Sequence, residues 1–200
     1  MKILKKIFRF FIRPFLHYFY TQAGLKMAQD LTSYLKKGDK VLDLGCGIGF
    51  VGFVIAKKLG VEVIGTDVRD VREVDLPFVI TNGQTLPFPD KEFDVVLIAY
   101  VLHHTPNTKE ILAEAKRVCK RKILIYEDTP QTLVHRISCF IHGFSYGSLF
   151  GLAEKCKFRD RQEWLRIFTS LGFKILYVSK TNFFNPIHTT SRTLFVLAHR

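Results

Sequence analysis

Short apolar segments that alternate with helix-like segments are the feature that most constrains the fold of this chain. From residue 38 onward, helix-like segments such as residues 50–59 and 108–119 separate near-continuous apolar runs. Those runs are residues 40–45, 61–66, 77–81, 93–99 and 122–127. Strands that are buried on both faces of a parallel sheet have this composition. The alternation therefore predicts a doubly wound α/β fold.

The last part of the chain predicts a capped helix between two further elements of β character. Apolar runs at residues 173–178 and 193–198 indicate two more strands. Asp160 and Glu163 have the spacing of a capping box, and Gly172 suits the end of the helix that they open.

Length and cysteine content limit the number of domains and the kinds of covalent or metal site that the chain can form. The chain has 200 residues, of which 48% are hydrophobic and 24% charged. This composition is globular, and the length fits one domain without a large second one. The cysteines lie far apart, without a CxxC pair or a His-Cys cluster: Cys46, Cys119, Cys139 and Cys156. This spacing predicts neither a disulfide framework nor a metal site and indicates an intracellular protein.

A glycine-rich loop follows the first predicted strand. In residues 41–50, VLDLGCGIGF, glycines at alternate positions permit a tight turn and the close approach of a ligand. Residues 47–52 also satisfy GxGxxG, so a nicotinamide dinucleotide site is one alternative.

Acidic residues at the strand ends help to separate the alternatives. Asp43 precedes the loop, where its charge would repel a pyrophosphate and attract an ammonium or sulfonium. Asp67 ends the second strand, where a carboxylate can accept both hydroxyl protons of a ribose. A polar loop at residues 81–88 follows the third strand, where an adenine could bind.

Together these motifs resemble a known family. The matching segments are VLDLGCGIG (41–49), TD (66–67), NGQTLPFPDKEFDVV (82–96) and AYVLHH (99–104). Residues 38–128 resemble a class I S-adenosylmethionine-dependent methyltransferase of the type 11 group. The resemblance implies a Rossmann-like, seven-stranded, mostly parallel sheet with an antiparallel last strand, and S-adenosyl-L-methionine as cofactor.

The resemblance also implies which residues bind that cofactor. They are Asp43, Gly45, Cys46, Gly47, Gly49, Asp67, Asn82, Gly83, Ala99 and Tyr100. Asp43 would lie near the cofactor's ammonium and Asp67 would bind the ribose hydroxyls. Asn82 stands where the family more often has an aspartate that contacts the adenine amino group. Ala99 and Tyr100 would border the sulfonium.

Titratable side chains after the fourth and fifth strands are candidates for the chemistry. His103 or His104 could act as a base if the methyl acceptor must lose a proton, and we expect at most one of these neighbours to face the pocket. The alternative is that both only pack or begin a helix. Further residues that could touch the acceptor are Tyr126, Glu127, Asp128, His135, His142 and Tyr146.

Two segments extend the predicted methyltransferase domain, which we assign to residues 38–200. Residues 129–158 form a helical insertion after strand 5 that is either a lid over the substrate or extra cover for the core. Residues 1–37 form an N-terminal helical arm. Its first 20 residues predict a basic amphipathic helix that either lies on a membrane or packs on the domain.

Charge and motifs leave three functional hypotheses. The formal net charge is +12, and residues 1–29 contain no acid until the chain reaches Asp30. The leading hypothesis is methyl transfer to a hydrophobic small-molecule or lipid-like acceptor, with residues 1–20 touching an anionic membrane surface. The second is an RNA or protein methyltransferase, although AYVLHH lacks the Asn/Asp-Pro-Pro-aromatic tetrapeptide expected for base amino groups. The third is a non-catalytic cofactor-binding protein at a membrane. We expect a cytoplasmic protein, peripheral on the inner face of the membrane.

Overall fold

The structure is a computed structural model that describes residues 2–150, 156–181 and 190–199, with side chains in 13–143, 156–181 and 190–198. Its helices are α1 (Lys2–Leu31), α2 (Phe50–Leu59), α3 (Thr108–Val118), α4 (Leu133–Phe150) and α5 (Arg161–Ser170). Its strands are β1 (Lys40–Leu44), β2 (Glu62–Asp67), β3 (Phe78–Ile80), β4 (Phe93–Ala99), β5 (Cys119–Asp128), β6 (Phe173–Lys180) and β7 (Arg192–His199). A single 3₁₀ turn, Leu102–His104, follows β4.

The seven predicted strands form one sheet, in the order β3-β2-β1-β4-β5-β7-β6. Strands β1 to β5 pair in parallel, and β7 runs antiparallel to both β5 and β6. This confirms the predicted doubly wound α/β sheet with an antiparallel last strand. The chain moves outward from β1 to β3 and then returns to β4 beside β1. Ligands of open α/β sheets bind at the carboxyl ends of strands where the order reverses in this way.

The central strands β1, β4 and β5 are buried on both faces, as their apolar sequences predicted, whereas the edge strands β3 and β6 are partly exposed. Successive residues of a strand point to opposite faces, so Val41 joins one core cluster and Leu42 the other. Helices α3 and α5 cover the face that contains Leu42, with Trp164 and Phe168 fully buried there. Helices α1 and α2 cover the opposite face.

Helix α1 divides into two halves with different surroundings. Met27 and Leu31 are buried in the core cluster beneath α2. A Cβ at Gly24 would lie 2.9 Å from Val54 Cβ, so glycine lets α1 and α2 pack closely. The second half of α1 is thus part of the core that we predicted to begin at residue 38. The side chains of residues 1–12, which carry most of the predicted basic face, lie outside the described residues.

The predicted helix ends are confirmed at α5. Asp160 accepts a hydrogen bond from the backbone N–H of Glu163, and Glu163 accepts one from the backbone N–H of Asp160. Gly172 follows the helix with φ of +70°. Helix α4 confirms a helical insertion after β5, although residues 151–155 of the predicted insertion lie outside the described residues.

Candidate active site

The glycine loop lies at the reversal point of the sheet, immediately after β1. The φ angles are +78° at Gly45, +53° at Gly47 and +83° at Gly49. A Cβ at Gly45 would lie 2.5 Å from a methyl group of Val101, so only glycine fits there. At Gly47, no described atom comes within 4 Å of the position that a Cβ would take. The loop therefore presents bare backbone to open space, as close approach of a ligand requires.

Asp67 ties this loop to the end of β2. Its Oδ2 accepts a hydrogen bond of 3.0 Å from the backbone N–H of Gly47, and its Oδ1 accepts one of 2.7 Å from Val68. A carboxylate has about four lone-pair sites, so both oxygens retain capacity for further donors. The position suits the predicted contact with two ribose hydroxyls, which stays a prediction.

Asp43 is a buried carboxyl group directly behind the loop. Only 2% of the residue is exposed. Burial, and then the charge of Asp67, raise its pKa to about 7 despite a hydrogen bond from the backbone of Gly52. Its Oδ2 has no hydrogen-bond partner among the described residues. A cationic ligand would stabilise this carboxylate, whereas a dinucleotide pyrophosphate would be repelled. The site therefore fits the ammonium of S-adenosylmethionine better than a nicotinamide dinucleotide.

Cys46 packs its side chain between the glycine loop and β2. A Cβ at Gly65 would lie 2.7 Å from its Sγ, so the thiol fills the space against β2. Burial, and then the charges of Asp43 and Asp67, raise the pKa of the thiol. Cys46 is therefore a neutral packing group of the loop rather than a nucleophile.

The loop after β3 is organised by Asn82. Its Oδ1 accepts hydrogen bonds from the backbone N–H groups of Gln84 at 2.9 Å and Thr85 at 2.8 Å. Gly83, between Asn82 and Gln84, has φ of +73°. Because an amide oxygen has two lone pairs, the predicted contact with an adenine amino group would replace one of these bonds. The structure thus gives Asn82 a role in loop shape that the sequence did not predict.

Ala99 and Tyr100 lie at the end of β4, beside the glycine loop. Tyr100 has φ of +60°, which is uncommon for a residue other than glycine and often marks a functional site. Its backbone N–H donates to the carbonyl oxygen of Tyr126 at 2.9 Å. Burial, and then the charge of Asp128, raise the pKa of the Tyr100 phenol. The strained backbone is where the resemblance places the sulfonium.

His103 is held by a buried carboxylate. The residue is 1% exposed, and its Nδ1 lies 2.7 Å from Oε2 of Glu127. The other oxygen of Glu127 accepts the backbone N–H of Leu102 at 2.7 Å. Burial lowers the pKa of His103, but the charge and hydrogen bond of Glu127 outweigh burial, and the net pKa is raised. Glu127 therefore orients His103.

The other candidates after β5 are also engaged within the core. Tyr126 is buried in the cluster beneath α1. Asp128 forms a buried ion pair with Arg192, with 3.2 Å between Oδ1 and Nε. None of these side chains is exposed as an acceptor contact would require. His135, on α4, lies 3.2 Å from the hydroxyl of Ser191, and the side chain of Tyr146 is outside the described residues.

His103 and His104 lie side by side in the 3₁₀ turn, and the expectation that at most one of them faces the pocket stays a prediction. Their ring centroids are 4.1 Å apart. His103 is 1% exposed, whereas His104 is partly exposed. Burial, and then the imidazoles of His103 and His142, lower the pKa of His104 to about 2.

The insertion supplies neighbours of this histidine pair, of which the sequence singled out His142 but not Cys156 or Phe158. His142 on α4 lies 6.2 Å from His104, measured between ring centroids. Cys156 Sγ lies 3.1 Å from Nδ1 of His104, and the ring of Phe158 stacks on His103 at 4.6 Å. For Cys156 and Phe158, the signal in the sequence was only the prediction that the insertion covers this edge of the sheet.

Comparison with known proteins gives the family of the central segment. Residues 42–125 match the family model described as a methyltransferase domain. A 2-phytyl-1,4-naphtoquinone methyltransferase of Synechococcus elongatus is 35% identical over 103 residues, which cover 44% of each chain. An uncharacterized protein of Methanocaldococcus jannaschii is 36% identical over 97 residues, covering 48% of this chain and 47% of that one. The chain thus spans under half the length of these curated relatives.

Solved structures share the fold over most of the chain. A SAM-dependent methyltransferase of Methanosarcina mazei has a TM-score of 0.66 at 18% identity, covering 84% of this chain and 96% of that one. A geranyl diphosphate methyltransferase in complex with SAM has a TM-score of 0.65 at 13% identity, covering 87% and 84%. At these identities the likeness establishes the fold. The seven-stranded topology is therefore the class I methyltransferase fold, and residues 42–125 match a methyltransferase domain within it.

Proposed function

We propose that this protein transfers a methyl group from S-adenosylmethionine to a hydrophobic, lipid-like small molecule. The observation that carries the cofactor assignment is the buried carboxyl group of Asp43. It lies behind an open glycine loop, at the reversal point of the sheet, and one of its oxygens lacks a partner among the described residues. A ligand with a cationic amino-acid part and a ribose matches Asp43 and Asp67 together.

In this proposal the protein contributes chiefly binding and alignment. S-adenosylmethionine supplies an electrophilic methyl group when it is bound. Asp43 attracts the ammonium, and Asp67 accepts hydrogen bonds from the ribose hydroxyls. Gly47, which has no side chain, leaves space for the cofactor. The fixed backbone at Tyr100 defines one wall, against which the acceptor is held in line. If the acceptor must lose a proton, His104 is the candidate to take it, because His103 is buried and held by Glu127.

The acceptor class is argued from helix α4, which leads away from the carboxyl edge of the sheet. Five apolar side chains on it are each between 52% and 76% exposed: Leu133, Val134, Ile137, Phe140 and Ile141. An apolar patch of this kind marks a site for a hydrophobic ligand, a membrane or a partner. The relative from Synechococcus elongatus bears the name of a methyltransferase for a phytyl-substituted naphthoquinone, which supports a lipid-like acceptor.

A membrane surface is the place where such an acceptor would be met. None of the described helices combines the length and apolar character needed to span a bilayer. The first 12 residues contain Lys2, Lys5, Lys6 and Arg9 and no acid. Basic amphipathic segments bind anionic lipid surfaces. We therefore include peripheral binding to an anionic membrane, through the start of α1, in the proposal.

Calorimetry with S-adenosylmethionine tests the cofactor assignment. We expect binding by the native protein and a large loss of affinity in Asp67→Ala. The matched control is Asp90→Ala, which removes an exposed carboxylate that pairs with Arg117 elsewhere on the surface. If the native protein fails to bind, or if both variants bind equally well, the assignment is wrong.

Transfer assays with labelled cofactor test the acceptor. A lipid extract, an RNA pool and a panel of small molecules are offered in parallel, and we expect label in the lipid extract. Phe140→Glu should reduce that transfer, whereas Leu176→Glu, at an exposed apolar position on β6, should not. Label in RNA alone would favour the RNA methyltransferase instead.

Vesicle flotation tests the membrane surface separately. We expect the full chain to float with anionic vesicles and not with neutral ones. Deletion of residues 1–12 should abolish flotation, and it leaves the buried half of α1 in place. Flotation that is unchanged by the deletion would contradict a membrane role for this segment.

A further inference from the structure

Three histidines from two separate segments come together beyond the end of β4. His103 and His104 belong to the 3₁₀ turn, and His142 comes from α4 in the insertion. One ring nitrogen from each can be chosen so that all three lie within 4.8 Å of one another. A cluster of imidazoles of this kind is a typical donor set for a transition metal.

The contacts of His103 argue for more than chance proximity. Its Nδ1 is hydrogen-bonded to Oε2 of Glu127 at 2.7 Å. Its Nε2 is buried and has no hydrogen-bond partner among the described residues. A histidine that gives one ring nitrogen to a carboxylate and leaves the other without a protein partner has the arrangement of a metal ligand. A buried nitrogen without a partner is otherwise destabilising.

His104 is oriented in a comparable way. Its Nδ1 lies 3.1 Å from the sulfur of Cys156. Phe158 stacks on His103 with 4.6 Å between ring centroids and shields the cluster on one side. Two of the three imidazoles are therefore fixed by neighbours outside the cluster, one by a carboxylate and one by a thiol.

We propose that His103, His104 and His142 bind one zinc ion. Three imidazoles with one open coordination position are a common zinc environment, and imidazole is a borderline ligand that suits Zn²⁺ better than Mg²⁺ or Ca²⁺. Tetrahedral nitrogen ligands about 2.1 Å from the metal lie about 3.4 Å apart. The nitrogens must therefore approach by at most about 1.4 Å from their present separation, an adjustment of the size that small changes in side-chain torsion produce.

The proposed zinc ligands are not themselves predicted cofactor ligands, because none of them belongs to the glycine loop, β2, the Asn82 loop or the Ala99–Tyr100 pair. The zinc site does bear on the chemistry, since a histidine that binds zinc cannot serve as a proton acceptor through the same nitrogen.

Metal titration of the full chain tests the proposal. The protein is stripped with a chelator and dialysed, then titrated with Zn²⁺ against a chromophoric indicator and with Co²⁺ by visible absorption. We expect one Zn²⁺ per chain, a tetrahedral Co²⁺ spectrum and a higher Tm with zinc. His142→Ala should lower the affinity by more than about 100-fold, the upper end for loss of ligand-orienting contacts. His142→Cys, which restores a zinc ligand, should recover binding.

The matched control is His135→Ala, which removes another histidine of the same helix and should leave zinc affinity unchanged. Calorimetry with S-adenosylmethionine on the His142→Ala variant should show unchanged cofactor affinity, so failure of the two proposals can be told apart. The zinc site is refuted if the stripped protein binds no stoichiometric zinc. It is equally refuted if His142→Ala and His104→Ala bind zinc as the native chain does, or if His135→Ala weakens binding as much as they do.

Discussion

The backbone N–H of Gly47 donates a hydrogen bond of 3.0 Å to Oδ2 of Asp67. This contact joins the loop after β1 to the end of β2, two segments that are 20 residues apart in the chain. Because the same carboxylate is the predicted ligand of the ribose, the loop conformation and the ribose contact are set together. A change at either residue should therefore alter cofactor binding more than it alters the fold.

Substitution of Gly47 by alanine should leave the protein folded and weaken the binding of S-adenosylmethionine. No described atom lies within 4 Å of the new Cβ, so the folded state loses only the cost of φ at +53°, about 1–2 kcal/mol for a left-handed residue. The methyl group would occupy the space that the cofactor needs. Calorimetry and urea denaturation of the variant measure the two effects.

Two other glycines serve as controls for that experiment. Gly38 also has a positive φ and open space around its Cβ position, but it lies at the opposite end of β1. Gly38→Ala should carry a similar stability cost without loss of cofactor affinity. Gly45→Ala should be far more destabilising, because its Cβ would lie 2.5 Å from Val101. Equal cofactor affinity in Gly47→Ala and Gly38→Ala would contradict the prediction.

Binding of S-adenosylmethionine near pH 7 should release protons. The pKa of Asp43 is raised to about 7 in the free protein, so about half of the carboxyl groups are protonated at that pH. A nearby ammonium favours the charged form, so binding drives proton release of up to about half an equivalent. Calorimetry in buffers with different ionisation enthalpies measures this release. Asp43→Asn should abolish the buffer dependence, and identical heats in all buffers for the native protein would argue against the contact.

The same carboxyl group should make the free protein less stable as pH rises. Its pKa lies near 7 in the folded state and near 3.9 when unfolded. Between these values the folded state holds a proton that the unfolded state has lost, so the free energy of unfolding falls with rising pH. This pKa difference between the folded and unfolded states corresponds to at most about 4 kcal/mol in the free energy of unfolding.

Urea denaturation across that pH window measures the effect. The stability of Asp43→Asn relative to the native protein should increase from pH 4.5 to pH 8, because an amide carries no charge at either pH. The control is Asp90→Asn, which changes an exposed carboxylate. A stability difference between Asp43→Asn and the native chain that is constant with pH would disagree with a buried, titrating Asp43.

Glu73 should control how firmly the first half of α1 is held. Its side chain pairs with Arg13 at 2.7 Å and with His17, and its backbone N–H donates to the carbonyl oxygen of Ile48 in the glycine loop at 3.0 Å. Burial alone would raise the pKa of Glu73, but the bonds and charges of His17 and Arg13 outweigh it and lower the pKa.

Glu73→Gln should therefore speed hydrogen exchange in residues 13–20 and leave residues 24–31 protected, because the latter lie in the core. Glu62→Gln, at an exposed position on β2, is the matched control. Exchange that accelerates equally in both parts of α1 would indicate that the helix is held as one unit instead.

Local features of the sequence were sufficient for the sheet and for the cofactor loop. The five apolar runs could be assigned to parallel strands because strands buried in such a sheet are apolar almost throughout, although the edge strand β3 is only partly buried. The capping box at Asp160 and Glu163 was also readable, because its hydrogen bonds join residues only three positions apart. The role of Asn82 could not be predicted, since the hydrogen bonds that it accepts from the backbone of Gln84 and Thr85 depend on the turn that the loop adopts.

The sequence by itself determined the fold class, the position of the glycine loop and the acids behind it, because these depend on local pattern and on the rule that parallel strands end at one edge. Only the tertiary structure brought Glu127, His142 and Cys156 to the His103–His104 turn. Those contacts join segments 24 to 52 residues apart, and no periodicity records such distances. These contacts form because β4 pairs with β5 and because the insertion packs against the turn that follows β4.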